Sequence, residues 1–135
     1  MGSGRGLVKI LDTSFLIHLQ REWARGESGP ARRYLQTGES EEFSISVITA
    51  LEFLEGYRQL GDGERFLEPF RQLEVTEGVA RVASRIRRTL RQQGEPIGDF
   101  DVLIAATGLA AGLPIVTDNT RHFERVDGLA VESYR

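Results

Sequence analysis

Leu7-Val8-Lys9-Ile10-Leu11-Asp12-Thr13-Ser14-Phe15-Leu16-Ile17 is the segment from which the fold can be read. Leu7 to Leu11 reads as a short buried strand. Asp12-Thr13-Ser14 then carries helix-start chemistry ahead of Phe15, Leu16, Ile17 and Leu19. The same succession returns downstream. Phe43-Ser44-Ile45-Ser46 alternates like a strand and leads into a helix predicted from Val47 to Leu60, closed by Gly61-Asp62-Gly63. Between these, Glu27-Ser28-Gly29-Pro30 is a loop, with Pro30 in the first turn of a helix to about Gln36. A helix over Glu64–Gln72 and a brief strand at Leu73-Glu74-Val75 come next. Thr76, Val79, Val82, Ala83, Ile86 and Leu90 then form a helical stripe that Gly94 stops. Gly98-Asp99 opens a helix through Ala111, with Gly112 just past its end. Pro114–Thr117 is a buried strand, Asp118–Arg125 a turn with a short helix, and Leu129-Ala130-Val131 a last strand. Strands alternating with helices predict an α/β fold, a parallel sheet with helices on both faces. Residues 1–6 read as a flexible lead-in and residues 7–135 as one domain.

Composition narrows the chemistry. A chain of 135 residues can bury one substantial core. Its net charge of −3 argues against nucleic-acid binding through overall charge and leaves room for a local basic patch. The absence of cysteine excludes disulfides, thiolate zinc sites and a cysteine nucleophile. Lys9, the only lysine, lies in a strand, which argues against a P-loop or a catalytic lysine. The two histidines, His18 and His122, fall in unrelated settings, an apolar helix and a polar turn. Gly2, Gly4 and Gly6 precede a strand, whereas a dinucleotide loop follows one. The least polar stretch, Leu103 to Val116, is shorter than the roughly 20 residues a bilayer requires, and no secretory signal is visible. The expectation is a cytoplasmic protein without membrane attachment.

Three acids interrupt apolar segments: Asp12 after Leu7–Leu11, Glu52 within Val47–Leu54, and Asp101 at the head of Val102-Leu103-Ile104-Ala105-Ala106. Burying an unpaired carboxylate costs several kcal/mol, about three times over here. A divalent cation at their meeting point would offset that cost. In open parallel sheets ligands bind beyond the carboxyl ends of strands. Asp12 and Asp118-Asn119 follow strands directly, Asp101 sits in a helix first turn, and Glu52 lies one to two turns past a strand. Oxygen ligands without histidine or cysteine suit Mg²⁺ or Mn²⁺. Each acid also has a plainer reading. Asp12 can cap its helix, and Asp101 gains from the helix dipole, with Asp99 the better cap there. Arg81, Arg85, Arg87, Arg88 and Arg91 share one helix with no acid among them, and Arg32-Arg33 form a smaller pair. Such runs serve as solvated faces or as RNA contacts.

Ile10-Leu11-Asp12-Thr13-Ser14, Ser46-Val47-Ile48-Thr49-Ala50-Leu51-Glu52, Pro96-Ile97-Gly98-Asp99-Phe100-Asp101-Val102-Leu103-Ile104-Ala105-Ala106 and Ile115-Val116-Thr117-Asp118-Asn119-Thr120-Arg121-His122-Phe123 together resemble the PIN-domain proteins, in particular the VapC-type toxin ribonucleases of toxin–antitoxin pairs. The resemblance implies a three-layer α/β/α fold with a short, mostly parallel sheet. It makes Asp12, Glu52 and Asp101 metal ligands and catalytic acids. Asn119 stands where the family has an aspartate or asparagine, with Asp118 an adjacent substitute. Ser14 and Thr117 become supporting polar residues at the substrate, with Arg85 and Arg88 as candidate RNA contacts. It further implies Mg²⁺- or Mn²⁺-dependent hydrolysis of RNA, often at one tRNA or rRNA site, in a homodimer inhibited by a cognate antitoxin. Two other readings share these features: a PIN-like scaffold that binds RNA or a partner without cutting, and an acidic Mg²⁺-binding receiver domain. The receiver fits less well, because Asp12 stands alone after its strand and the chain has no late lysine.

Overall fold

The computed structural model describes residues 8–37 and 42–135. The lead-in at residues 1–6 and Leu7 lie outside the described residues. Five strands form one sheet: β1 (Val8–Leu11), β2 (Glu42–Ser46), β3 (Arg71–Leu73), β4 (Ile115–Thr117) and β5 (Val131–Ser133). Their order is β3-β2-β1-β4-β5, and every pairing is parallel. The connecting helices are α1 (Thr13–Arg25), α2 (Pro30–Thr37), α3 (Val47–Glu55), α4 (Leu60–Leu67), α5 (Glu77–Gln92), α6 (Asp99–Ala111) and the short α7 (Thr120–Phe123).

Side chains alternate across a strand, so the central strands divide their residues between two apolar layers. Ile10 and Ile115 face Val79, Ala83, Ile86, Leu90 and the α6 side chains. Leu11, Ile45 and Val116 face Phe15, Leu16, Ala31, Phe53 and Leu67. The result is the expected three-layer α/β/α arrangement.

Several boundaries differ from the sequence expectation. The predicted Val47–Leu60 helix stops at Glu55, and α4 runs through Gly61-Asp62-Gly63 instead of ending there. Gly63 suits that helix because a Cβ there would lie 2.8 Å from Leu54 Cδ2 and 3.2 Å from the Tyr57 ring. The α4 backbone therefore packs where a larger residue would not fit. The helix predicted for Glu64–Gln72 ends at Leu67, and β3 begins two residues earlier than Leu73. The last strand begins at Val131, two residues late. Asp99 is not the cap of α6: Gly98 holds that position without a side-chain bond, and Asp99 pairs with Arg87 at 3.1 Å. Glu22 is a buried acid with no expected role. It accepts hydrogen bonds from the backbone N–H groups of Gly29, Ala31 and Arg32, capping the start of α2 from a distance. No helix among the described residues is long and apolar enough to cross a membrane.

Candidate active site

Asp12 leaves β1 at the carboxyl edge of the sheet, where its backbone N–H bonds Val116 O at 3.1 Å. It caps α1, accepting from Phe15 N at 3.2 Å. Its carboxylate does more than cap. Oδ1 also accepts from Ser14 Oγ at 2.7 Å, and Oδ2 accepts from Thr117 Oγ1 at 2.8 Å. Only 4% of the residue is exposed, and among the described residues no cationic side chain bonds it. Burial pushes its pKa up to about 6 against the three hydrogen bonds, and the Asp101 charge adds to the rise. The Asp101 charge thus reaches Asp12, and among the described residues no lysine or arginine pairs with either acid.

The loop after β4 is tied to this carboxylate from both sides. The Ser14 hydroxyl accepts from Asp118 N at 3.3 Å, and the Thr117 hydroxyl accepts from Asn119 N at 2.8 Å. Ser14 and Thr117 therefore hold Asp12 and shape the loop together. The Asn119 amide meets His122 Nδ1 at 2.8 Å, and the same nitrogen lies 3.5 Å from Asp101 Oδ2. The Asp118 carboxylate instead pairs with Arg135 Nε at 2.8 Å. Of the two residues after Thr117, Asn119 is the one linked to Asp101, through His122.

Glu52 enters from α3, where the Thr13 hydroxyl donates to its Oε1 at 2.6 Å and Thr49 Oγ1 lies 3.3 Å from the same hydroxyl. Thr13, the residue after Asp12 in sequence, thereby carries the link to Glu52. Among the described residues no three His, Asp or Glu side chains close around one point as a cage. The donor chemistry still fits a hard cation. Mg²⁺ typically takes one or two carboxylates and keeps several waters, which suits Asp12 and Asp101, with Glu52 tied to the same edge through Thr13. Arg85 and Arg88 are exposed on α5 and make no ion pair among the described residues. Arg85 faces a hollow shared with Arg125 and Asp127, and Arg88 one shared with Arg87, Arg91 and Asp99. No contact joins either to the acids.

Thr13 and His122 carry geometry that residue type alone does not announce. Asn119-x-x-His122 places the two side chains one turn apart, which is the only local signal for the second of them.

Comparison with known proteins resolves the family. The PIN-domain family model matches residues 9–129. The chain is 33% identical over 120 residues to ribonuclease VapC19 of Mycobacterium tuberculosis, covering 86% of this chain and 92% of the relative. The chain belongs to the PIN-domain family, among the VapC ribonucleases. A tRNA(fMet)-specific endonuclease VapC from Shigella flexneri is 38% identical over 97 residues, covering 67% of this chain and 74% of the relative. The crystal structure of DNA-bound VapBC from Salmonella typhimurium superposes with a TM-score of 0.73 at 28% identity, covering 96% and 99% of the two chains. Asp12 directly follows β1, at the edge where open parallel sheets hold ligands, whereas Glu52 and Asp101 are carried by α3 and α6. Membership also removes the receiver reading, whose phospho-acceptor would have to be the buried, doubly hydroxyl-bonded Asp12.

Proposed function

We propose that the protein is a Mg²⁺- or Mn²⁺-dependent endoribonuclease toxin that hydrolyses RNA phosphodiester bonds and is neutralised by a cognate antitoxin. The observation that carries the metal dependence is Asp12, an acid buried beside Asp101 with no cationic side chain to balance it. A divalent cation held by Asp12 and Asp101 would neutralise charge on the attacked phosphate and orient a water for in-line attack. The protein's own groups do the positioning. Ser14 and Thr117 fix both Asp12 oxygens, Thr13 aims Glu52, and His122, itself met by the Asn119 amide, lies beside Asp101. Glu52 then stands as the outer acid and Asn119 as a neutral oxygen ligand or water contact.

The VapC relatives named above support RNA as substrate, with tRNA a specific candidate from the Shigella enzyme. The VapBC neighbour supports an antitoxin partner. An apolar hollow of 640 Å³ between α1, α2 and α4, with Trp23 two-thirds exposed beside it, offers surface for such a protein. Leu51 and Phe100, exposed on α3 and α6, are apolar side chains that a homodimer contact could cover.

The test is cleavage of total RNA by antitoxin-free protein with Mg²⁺ or Mn²⁺, beside EDTA and Asp101→Asn controls. Discrete products bearing 5′-phosphate and 3′-hydroxyl ends, lost in both controls, are expected. Products with 2′,3′-cyclic phosphate would mean attack by the RNA's own hydroxyl and overturn the hydrolytic mechanism. Metal binding without cleavage of any RNA would favour the non-catalytic scaffold.

A further inference from the structure

The β5 end of the site carries a second feature that the acids do not explain. Arg135 Nε pairs with Asp118, while its Nη2 lies 3.0 and 3.1 Å from the two ring nitrogens of His18. The guanidinium is therefore held across the imidazole, and half of the side chain is still exposed. The Asp118 backbone N–H in turn donates to the Ser14 hydroxyl, which donates to Asp12. Arg135 is thus two residues, Asp118 and Ser14, removed from Asp12.

On its other side Arg135 borders a hollow of 340 Å³ lined also by Pro30, Arg33, Tyr34, Thr37 and Tyr134. That volume lies in the range of small-ligand sites, about 300–1,000 Å³. The lining contains two arginines, a threonine and two tyrosines, and no acid. Beneath it Glu132 is engaged by the Lys9 ammonium at 3.0 Å and by the Tyr34 hydroxyl, so its charge is already answered. Arg33 bonds only a backbone oxygen, Ser28 O at 2.5 Å, and keeps its charge uncompensated among the described residues. A polyanion drawn to an acidic centre requires cations beside it, and Arg135 links this basic hollow to that centre by way of Asp118 and Ser14.

We propose that this hollow is an RNA subsite: one nucleotide flanking the scissile bond enters it, with Arg135 on the phosphate nearest the acids and Arg33 on the next. Arginine suits phosphate through its planar fork of donors, and the Tyr34 ring gives a flanking base an apolar edge to lie against. The assignment rests on the ribonuclease reading and adds the path of the strand. The lining favours a polyanion over an apolar protein segment, for which the larger hollow near Trp23 is the better match.

The experiment measures binding of fluorescein-labelled bulk tRNA to full-length Asp101→Asn protein by anisotropy, between 50 and 200 mM salt, about the range over which phosphate contacts show. Arg33→Ala and Arg135→Gln are each expected to weaken binding about tenfold and to flatten the log–log salt slope by roughly 0.7–0.9. Arg58→Gln, an exposed arginine on the loop before α4, serves as the control and should match the parent. In the cleaving protein the same two variants should raise KM about tenfold with kcat within about twofold. Melting temperatures separate a lost contact from a lost fold, and Arg33, exposed on α2, tests the subsite without disturbing the Asp118 pair. Unchanged tRNA affinity and salt slope in both variants would overturn the subsite and leave the nuclease reading intact. Parent protein that neither binds nor cleaves tRNA, while total RNA is cut, would place the subsite on another RNA class and refute it for tRNA. Failure to cut any RNA would remove both readings.

Discussion

Asp12 sets the chemistry at the residue scale, because its raised pKa is a statement about stability. The folded carboxyl titrates near 6 against an ordinary value of 3.8, with burial the largest cause. Between those values the native state binds more protons than the unfolded chain, so this group's contribution to stability falls as pH rises through the window. Two units correspond to about 3 kcal/mol at most. Metal-free Asp12→Asn should therefore be more stable than the parent at pH 7.5, by about 1–3 kcal/mol, and equal to it near pH 4. Urea unfolding in EDTA at both pH values measures the difference. Glu132 works with the opposite sign. Burial pushes its pKa up, the bonds from Tyr34 and Lys9 outweigh this and hold it low, and its stabilisation is lost as pH falls. Comparing parent with variant cancels that background. A parent–variant gap independent of pH would show that Asp12 is not strained in its ionised form. Thr13 provides the second residue-scale prediction. Thr13→Val keeps the side-chain volume and removes the donor to Glu52. Mn²⁺ affinity by calorimetry should drop about tenfold, as for other groups that orient ligands. Unchanged affinity would take Glu52 out of the cation site.

At the scale of elements, glycines decide where helices pack. Gly108 lies inside α6, where a Cβ would meet Ile115 Cδ1 at 2.8 Å and Leu113 O at 3.1 Å. The carbonyl cannot step aside as a flexible side chain can. Gly108→Ala gains up to about 1 kcal/mol of helix propensity and loses about 1–3 kcal/mol to overpacking. It should lower stability and shift the β4 strand that carries Thr117, seen as a fall in melting temperature with reduced cation affinity. A more stable variant would mean that β4 adjusts freely. The same physics limits what can be read from the chain alone. Strand–helix alternation, the Asp12 cap and the Gly112 terminus were legible because each follows from residues within one turn. The break between α3 and α4 was not. Gly61-Asp62-Gly63 has the composition of a helix stop, and only the approach of α4 to Leu54 and Tyr57 explains its helical state. Edge strands β3 and β5 are three residues long, too short to show a period, and each was displaced by two residues. In the site, Asp12 was legible from its place after a strand, while Ser14 and Thr117 were reached only through the resemblance to the PIN-domain proteins. Thr13 and His122 were not, because their partners Glu52 and Asp101 arrive from other elements, and Glu22 looked like any exposed helix acid.

The whole molecule couples these scales. Two apolar layers share one sheet, and its carboxyl edge gathers groups from β1, α3, α6 and the loop after β4. An electrostatic cost at Asp12 is therefore borne by the entire fold, and relieving it stabilises the entire fold. A cation that binds only the native state adds RT ln(1 + [L]/Kd), about 2.7 kcal/mol at one hundred times Kd. For a chain of this length that corresponds to roughly 10 °C in melting temperature. Saturating Mg²⁺ or Mn²⁺ at pH 7.5 should produce such a rise. At pH 5 the rise should shrink, because protons then compete with the cation for Asp12. In Asp12→Asn it should nearly vanish, although that variant starts from a higher metal-free melting temperature. The two effects have opposite signs in one variant, which separates them from general destabilisation. An equal rise in parent and Asp12→Asn would place the cation elsewhere on the protein. The buried acid would then be a structural cap, and the proposed hydrolysis would lose its physical basis.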